Sequence, residues 1–476
     1  MVYKYAAART NNSVPGPPGP PYIGPVLPYL RDPLGFMLAN YRRYGEVIRI
    51  ELVGIRGVAL HGAAAHRYVL VDAADNFVIA PLIDRLRARW IVGNGLLFID
   101  DPAHRRDRRL IMPAFSRKRV EDYQEVMQET ARQMLDSWVP GVEIDVAAEM
   151  HLLALTVVGR TLFNMDLAGS ARVLGEAVAA VVHAASNPAH IMMARLPFDV
   201  PPIGVGGTLR KALARIDRVL SEVIERHIRD GLDAGDAVSM LVAARDEAGE
   251  GLTNSQIRDH LLTLFVAGHE TSANALVWTF YLLAMHPEAT RKLLSELDAQ
   301  LGGKAPDAAD LERLPYLDQV VKEGLRLYPP AASLNRIARE DFEWRGYTIP
   351  AGALISYSPF VSHRMPTQFR DPEVFRPERF DPLAGDSIPQ YAYIPFGAGP
   401  RSCVGAPFAT MEIKTVLAMA LQRFRLDLVP NQRIEATVRT TLQPKRGIRM
   451  VPQIQDGHVE RSPARVMGNV IGALPG

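Results

Sequence analysis

A single cysteine, Cys403, serves a chain of 476 residues. One thiol excludes internal disulfides and the disulfide-stapled secreted class, and makes a reducing, cytoplasmic setting the expectation. Long apolar runs are also missing near the N-terminus, where nothing approaches the roughly 18 residues of a membrane span. Residues 1–14 form a polar tail without a signal peptide's apolar core, so no membrane anchor is expected. Charge of one sign is absent too: 54 Lys and Arg face 52 Asp and Glu, a net charge of +2. That balance gives no global electrostatic argument for nucleic acid. What remains, with 48% hydrophobic residues, is a globular composition with ample core.

Pro15-Gly-Pro-Pro-Gly-Pro-Pro21 is a stiff, extended lead-in that can be neither helix nor central strand. Alternation over 46–52, a Gly-Ile-Arg turn and residues 57–61 predict a strand pair. Helical periodicity then dominates, over 101–112, 117–138, 145–165, 168–186, 206–231, 254–285, 287–301 and 315–328. After Pro329-Pro330 the texture changes to short strands and turns, then a helical run and a mixed strand region to about 452. The expectation is a mainly α protein with a smaller β-rich portion. One domain would cover 15–452, followed by a polar tail over 453–476.

Around the lone cysteine the chain reads Phe396-Gly397-Ala-Gly-Pro-Arg401-Ser-Cys403-Val-Gly405, and a helix-forming run from Pro407 to Phe424 follows. Cys403 should therefore stand just before a helix N-terminus, where unpaired N–H groups favour a thiolate. A free cysteine is more often a small buried apolar residue. The glycine-rich loop, with an arginine two residues before and a glycine two after, instead suits a sulfur that binds a metal and stays deprotonated.

Three further constellations stand apart. Ala267-Gly268-His-Glu270-Thr271 lies in mid-helix, in a run opened by a capping box at Thr253 and Gln256. Gly268 lacks a side chain and the Thr271 hydroxyl can bond a carbonyl one turn back. Both are causes of local bending, and a bend there makes room for water or a small ligand. Glu323 and Arg326, three apart, share a helix face, with Pro377-Glu-Arg379-Phe380 downstream. His104 and Arg108 stand one helical turn apart after Asp101-Pro-Ala.

The pattern F-x-x-G-x-R-x-C-x-G, with H-x-x-x-R, A-G-x-E-T, E-x-x-R and P-E-R-F before it in that order, resembles the cytochrome P-450 superfamily of haem-thiolate monooxygenases, of the soluble bacterial type. The resemblance implies the cytochrome P-450 fold, with haem b (iron protoporphyrin IX) between the long central helix and the cysteine loop. Cys403 would be the axial thiolate and the metal ligand, with Phe396, Gly397, Gly405, Ala267 and Gly268 also at the cofactor. Thr271 and Glu270 would be catalytic, one holding dioxygen or a water and the other relaying protons. Glu323, Arg326 and Arg379 would form a buried, structural ionic network. His104, Arg108, Arg336 and Arg401 would hold the haem propionates, a task suited to the guanidinium fork.

The implied reaction inserts one oxygen atom from O2 into an apolar small molecule, of fatty acyl, terpenoid or steroid-like class. The chain carries no flavin, iron–sulfur or nicotinamide motif. Electrons, ultimately from NAD(P)H, are therefore expected through separate proteins, a ferredoxin or flavodoxin-type donor with its reductase. Arg105, Arg106, Arg109 and Ser116-Arg-Lys-Arg119 would offer that donor a basic patch. Candidate pocket walls are Leu82, Leu86, Trp90, Val92 and Leu96, then Met192 and Met193, and nearer the haem Leu264, Ala332 and Leu334.

Other readings stay open at this point. A peroxide-driven hydroxylase or hydroperoxide isomerase of the same fold needs no proton delivery, and the intact Glu270-Thr271 pair argues against it. A haem-binding sensor or carrier would bind haem without turnover. A hydrolase built on Cys403 as nucleophile has no histidine placed near it by sequence.

Overall fold

The computed structural model describes residues 14–20, 23–52, 54–86, 88–165, 172–185, 206–231, 235–383 and 386–459. Met192 and Met193, and the side chain of Trp90, lie outside the described residues.

The expected strand pair forms as Val47–Leu52 and Ile55–Leu60, antiparallel, with Val47 opposite Leu60. It extends into a five-stranded sheet through Leu354–Tyr357, Leu334–Ala338 and Phe77–Val78, in that order. Gly57 is required where the sheet closes, because a Cβ there would stand 1.9 Å from the Leu354 carbonyl oxygen. The proline-rich lead-in runs along the sheet edge, where Arg49 N–H donates to the Pro15 carbonyl at 2.7 Å.

Helix occupies most of the remainder. Asn254–Met285 is a single α-helix of 32 residues, opened by the reciprocal Thr253–Gln256 capping box and spanning roughly 48 Å at ~1.5 Å per residue. Helical structure is continuous through Gly268 and Thr271. Its partner is Val146–Phe163, capped by the Asp145 carboxylate on Ala147 N–H. Val146–Phe163 is the one described helix long and apolar enough to cross a membrane, and it is two-thirds buried inside the protein. Phe163 meets Phe265 edge-on at 5.5 Å. A Cβ on Gly268 would stand 3.0 Å from Val158, so this glycine lets the two helices approach.

Pro315–Leu327 and Ala406–Arg423 pack on the other side of the long helix. Trp278 stacks on Tyr328 there, with ring centroids 4.2 Å apart. The helix expected over 117–138 divides at Tyr123 into Arg117–Asp122 and Gln124–Ser137.

Candidate active site

The cysteine loop is shaped by backbone before side chains. Gly397 and Gly399 take φ of +69° and +68°, which L side chains rarely adopt. At Gly399 a Cβ would also meet the Leu70 carbonyl at 1.9 Å. Cys403 N–H donates to the Phe396 carbonyl at 2.9 Å, closing the loop, and the helix Ala406–Arg423 begins three residues later. Cys403 is exposed on one side while protein packs closely on the others. Burial pushes its thiol up; the N–H groups of Gly405 and Ala406 and the Arg108 guanidinium pull it back toward thiolate. A Cβ on Gly405 would reach within 4.0 Å of the sulfur, so the loop keeps its near side clear.

Cations converge beside this loop. Arg108, on the helix Ala103–Ile111, donates to the Ser402 carbonyl at 2.7 Å and to Ser402 Oγ at 3.3 Å. Arg401 donates to the Ile99 carbonyl at 2.6 Å and to Asp100 at 2.7 Å. Asp100 is itself fixed by Ile79 and Ala80 N–H groups. His104 is buried beside Asp101, its ring nitrogen 3.4 Å from the carboxylate. Burial and the like charge of Arg401 depress His104 to about 4, so it is neutral at pH 7. Arg336 is 7% exposed, lies over the Tyr357 ring, and donates to the neighbouring Asn335 carbonyl at 2.8 Å.

No carboxylate pairs with Arg336 among the described residues. The Arg401 guanidinium is lowered from its usual value by burial and then, against the attraction of Asp100, by the like charge of Arg336.

On the long helix, burial fails at one place. Leu261–Leu262, Leu264–Phe265 and the turns from Ser272 onward are buried, whereas Ala267 is exposed and Gly268 to Thr271 are half-buried. Thr271 Oγ1 donates to the Ala267 carbonyl at 2.7 Å. Glu270 points elsewhere: its Oε2 accepts from Thr441 Oγ1 at 3.3 Å. Burial raises the Glu270 pKa, opposed by the Thr441 hydrogen bond and by Arg439.

The structure brings Glu323, Arg326 and Arg379 together with side chains at most 1% exposed. Arg326 reaches Glu323 through two bonds, 2.7 and 2.9 Å, and Arg379 joins it at 3.0 Å. The remaining guanidinium donors go to the carbonyls of His363, Pro372, Val374, Arg370 and Asp371. His363, whose ring takes a hydrogen bond from Ile394 N–H at 3.0 Å, links this network to the segment leading into the cysteine loop.

The candidate pocket residues fall in three packing clusters: Leu82, Leu86 and Val92 gather with Ile337 and Leu354, Leu334 packs on the sheet core, and Leu96, Leu264 and Ala332 belong to the main core. The basic patch is neutralised locally. Arg105 pairs with Asp101, Arg106 with Asp246, Arg109 with Glu247, and Arg117 with Glu121 and Glu312. Asp246, Glu247 and Glu312 lie on distant segments, out of view of a local charge count.

Sequence reasoning also missed Asp100, Ser402, Thr441 and Glu412. Glu412 is fully buried on the helix after the cysteine, and both carboxyl oxygens lack a hydrogen bond. Burial pushes it up to about 8, with the nearby Ser272 hydroxyl pulling down. An acid among Phe408, Ile413 and Val416 on a core helix was the available signal.

Comparison with known proteins supplies the class. The family profile described as Cytochrome P-450 matches residues 14–451. Cyclooctatin synthase of Streptomyces melanosporofaciens is 35% identical over 92% of this chain and 95% of that protein. Cyclooctat-9-en-7-ol 5-monooxygenase of the same organism is 33% identical over 88% and 90%. A retinoic acid-bound cyanobacterial cytochrome P-450 superposes with a TM-score of 0.83 at 28% identity, over 93% of this chain and all of that one. The chain belongs to the cytochrome P-450 family and is a haem-thiolate monooxygenase that uses dioxygen.

The residues present fit haem. The sole cysteine has an exposed side and N–H donors directed at its sulfur. A buried arginine without a carboxylate partner, beside Arg401, suits a group bearing two carboxylates.

Proposed function

We propose that this monooxygenase hydroxylates or epoxidises an apolar, terpenoid-like small molecule, with Cys403 as the axial ligand and Glu270 and Thr271 managing protons. Bound haem would supply the activation of dioxygen and the oxidation of the substrate, and the Cys403 thiolate would hold its iron and tune its reactivity. Cys403 is the one residue of the chain able to provide that thiolate. Arg108, Arg336, Arg401 and neutral His104 would hold the propionates.

The observation that carries the reading is the less buried turn of the continuous long helix, from Ala267 to Thr271. Ala267 is its exposed residue, Thr271 has its hydroxyl on the Ala267 carbonyl, and the adjacent Glu270 has a pKa raised from the usual carboxylate range. A hydroxyl beside an acid that burial shifts upward is what proton delivery to a buried oxygen needs. The named relatives act on an unsaturated cyclic alcohol or make a related product, and the structural neighbour holds retinoic acid. These compounds support a terpenoid-like substrate here. Electrons would arrive from NAD(P)H through a ferredoxin or flavodoxin-type donor and its reductase in the cytoplasm, a setting that suits a chain with one cysteine.

The test is turnover of the reconstituted haem protein with a panel of cyclic terpenoids, fatty acids and steroids under isotopically labelled dioxygen. A single labelled oxygen in a terpenoid product is expected. Products confined to the fatty acid or steroid arms would refute the substrate class.

A further inference from the structure

We propose that Thr441 is a positioning residue for Glu270, holding its carboxyl on the side of a β-hairpin and so setting the orientation from which protons are passed to Thr271. The proposal rests on the proton-delivery reading above and adds a residue on a distant element.

The hairpin pairs Ala436–Val438 with Leu442–Pro444, Val438 opposite Leu442, and Arg439 N–H closes the turn on the Thr441 carbonyl at 3.1 Å. Two contacts clamp its end to the core. Leu442 N–H donates to the Pro330 carbonyl at 2.8 Å, and Trp278 of the long helix donates its indole N–H to the Leu442 carbonyl at 3.3 Å. Thr441 is thereby held, 5% exposed, against the long helix.

A threonine hydroxyl has one proton to give and two lone pairs. Asn274 Nδ2 donates to Thr441 Oγ1 at 3.0 Å, occupying an acceptor site and leaving the hydroxyl proton directed at Glu270 Oε2. Glu270 and Asn274 are one helical turn apart and face the same way, so both side chains converge on this one oxygen. Thr271 follows Glu270 and lies about 100° further around the helix; its own proton is on the Ala267 carbonyl. Among the described residues the Thr441 bond is the hydrogen bond that fixes the Glu270 carboxyl. Arg439, on the same hairpin, attracts it electrostatically. The hairpin, not the helix, thus decides where the acid rests.

The experiment compares Thr441→Val, which keeps shape and loses the hydroxyl, with Thr441→Ser, which keeps the hydroxyl, each alone and with Glu270→Gln. Reconstituted haem protein is supplied with electrons and substrate, and the share of electrons appearing as hydrogen peroxide is measured with haem content. T441V is expected to raise the peroxide share several-fold at unchanged haem content, T441S to restore it, and T441V to add nothing in the E270Q background. If E270Q uncouples the enzyme and T441V does not, the positioning role is wrong and the proton-delivery reading stands. If E270Q leaves coupling intact, the proton-delivery reading fails. A crystal structure of T441V then judges the positioning alone: an unmoved Glu270 carboxyl overturns it, and a displaced one upholds it. Should T441V not retain haem, Thr441→Ala carries the same comparison.

Discussion

Arg108 donates to the carbonyl of Ser402 at 2.7 Å, fastening the helix Ala103–Ile111 to the residue before the only cysteine. The same guanidinium draws the Cys403 thiol toward thiolate. Arg108→Leu should therefore loosen the loop as well as remove a cation. The loss is expected to be about 2 kcal/mol, the scale of hydrogen bonds from a charged donor. Faster transfer of haem to an acceptor apoprotein, together with a lower denaturation midpoint, checks it; an unchanged transfer rate would count against Arg108 at the cofactor.

Cys403→Ser should abolish the strongly red-shifted Soret band of the reduced carbon monoxide complex. The spectrum of the reconstituted variant is the measurement. A surviving thiolate-type band is impossible to reconcile with a chain whose one cysteine has gone.

The Glu323–Arg326–Arg379 network has every strong donor paired and its side chains at most 1% exposed. Removing one partner leaves an uncompensated buried charge. Glu323→Gln is expected to cost about 3–5 kcal/mol, measured as urea denaturation, and to yield protein with little haem. A loss below 1 kcal/mol would show that the carbonyl ring around the two arginines suffices on its own.

Glu412 gives a pH dependence with a definite sign. Its pKa rises from the usual 4.5 to about 8 on folding. The native state therefore keeps a proton that the unfolded chain has released between those values, and stability falls as pH rises through that window. Glu412→Gln removes the dependence. The variant should match wild type below pH 4.5 and exceed it by a few kcal/mol at pH 8. Denaturation midpoints that stay parallel across the range would exclude this carboxyl as the source.

Thr271→Ala removes the hydroxyl that rests on the Ala267 carbonyl. Haem binding should be intact, and electrons should divert into hydrogen peroxide with product formation down roughly a hundred-fold or more, the scale of a lost proton-transfer group. Simultaneous counts of NAD(P)H consumed, peroxide and product provide the check. Unchanged coupling would remove Thr271 from proton delivery.

The helices were legible because their causes are local. Thr253 and Gln256 announce the start of the long helix three residues apart, and the apolar period carries it to Met285. Gly397, Gly399 and Cys403 form their loop from dihedral freedom and a short hydrogen bond to Phe396, all within eight residues. The E-x-x-R spacing placed Glu323 and Arg326 on one face, but their burial needed the carbonyls of 363–374 to arrive from elsewhere.

The remainder belongs to the tertiary structure alone. Asp246 and Glu247 cancel arginines some 140 residues earlier, which turns an apparent basic patch into ion pairs. Thr441 reaches Glu270 across 171 positions, and nothing in a Thr-Thr hairpin turn announces that contact. Periodicity determined the helical frame, and the ordered motifs ending in F-x-x-G-x-R-x-C-x-G carried the resemblance that implied the class and the thiolate, since both depend on residue type and near neighbours. The charge state and orientation of each acid and cation were decided only by packing, because burial and long-range partners set the energy of a charge, and neither is a property of the local chain.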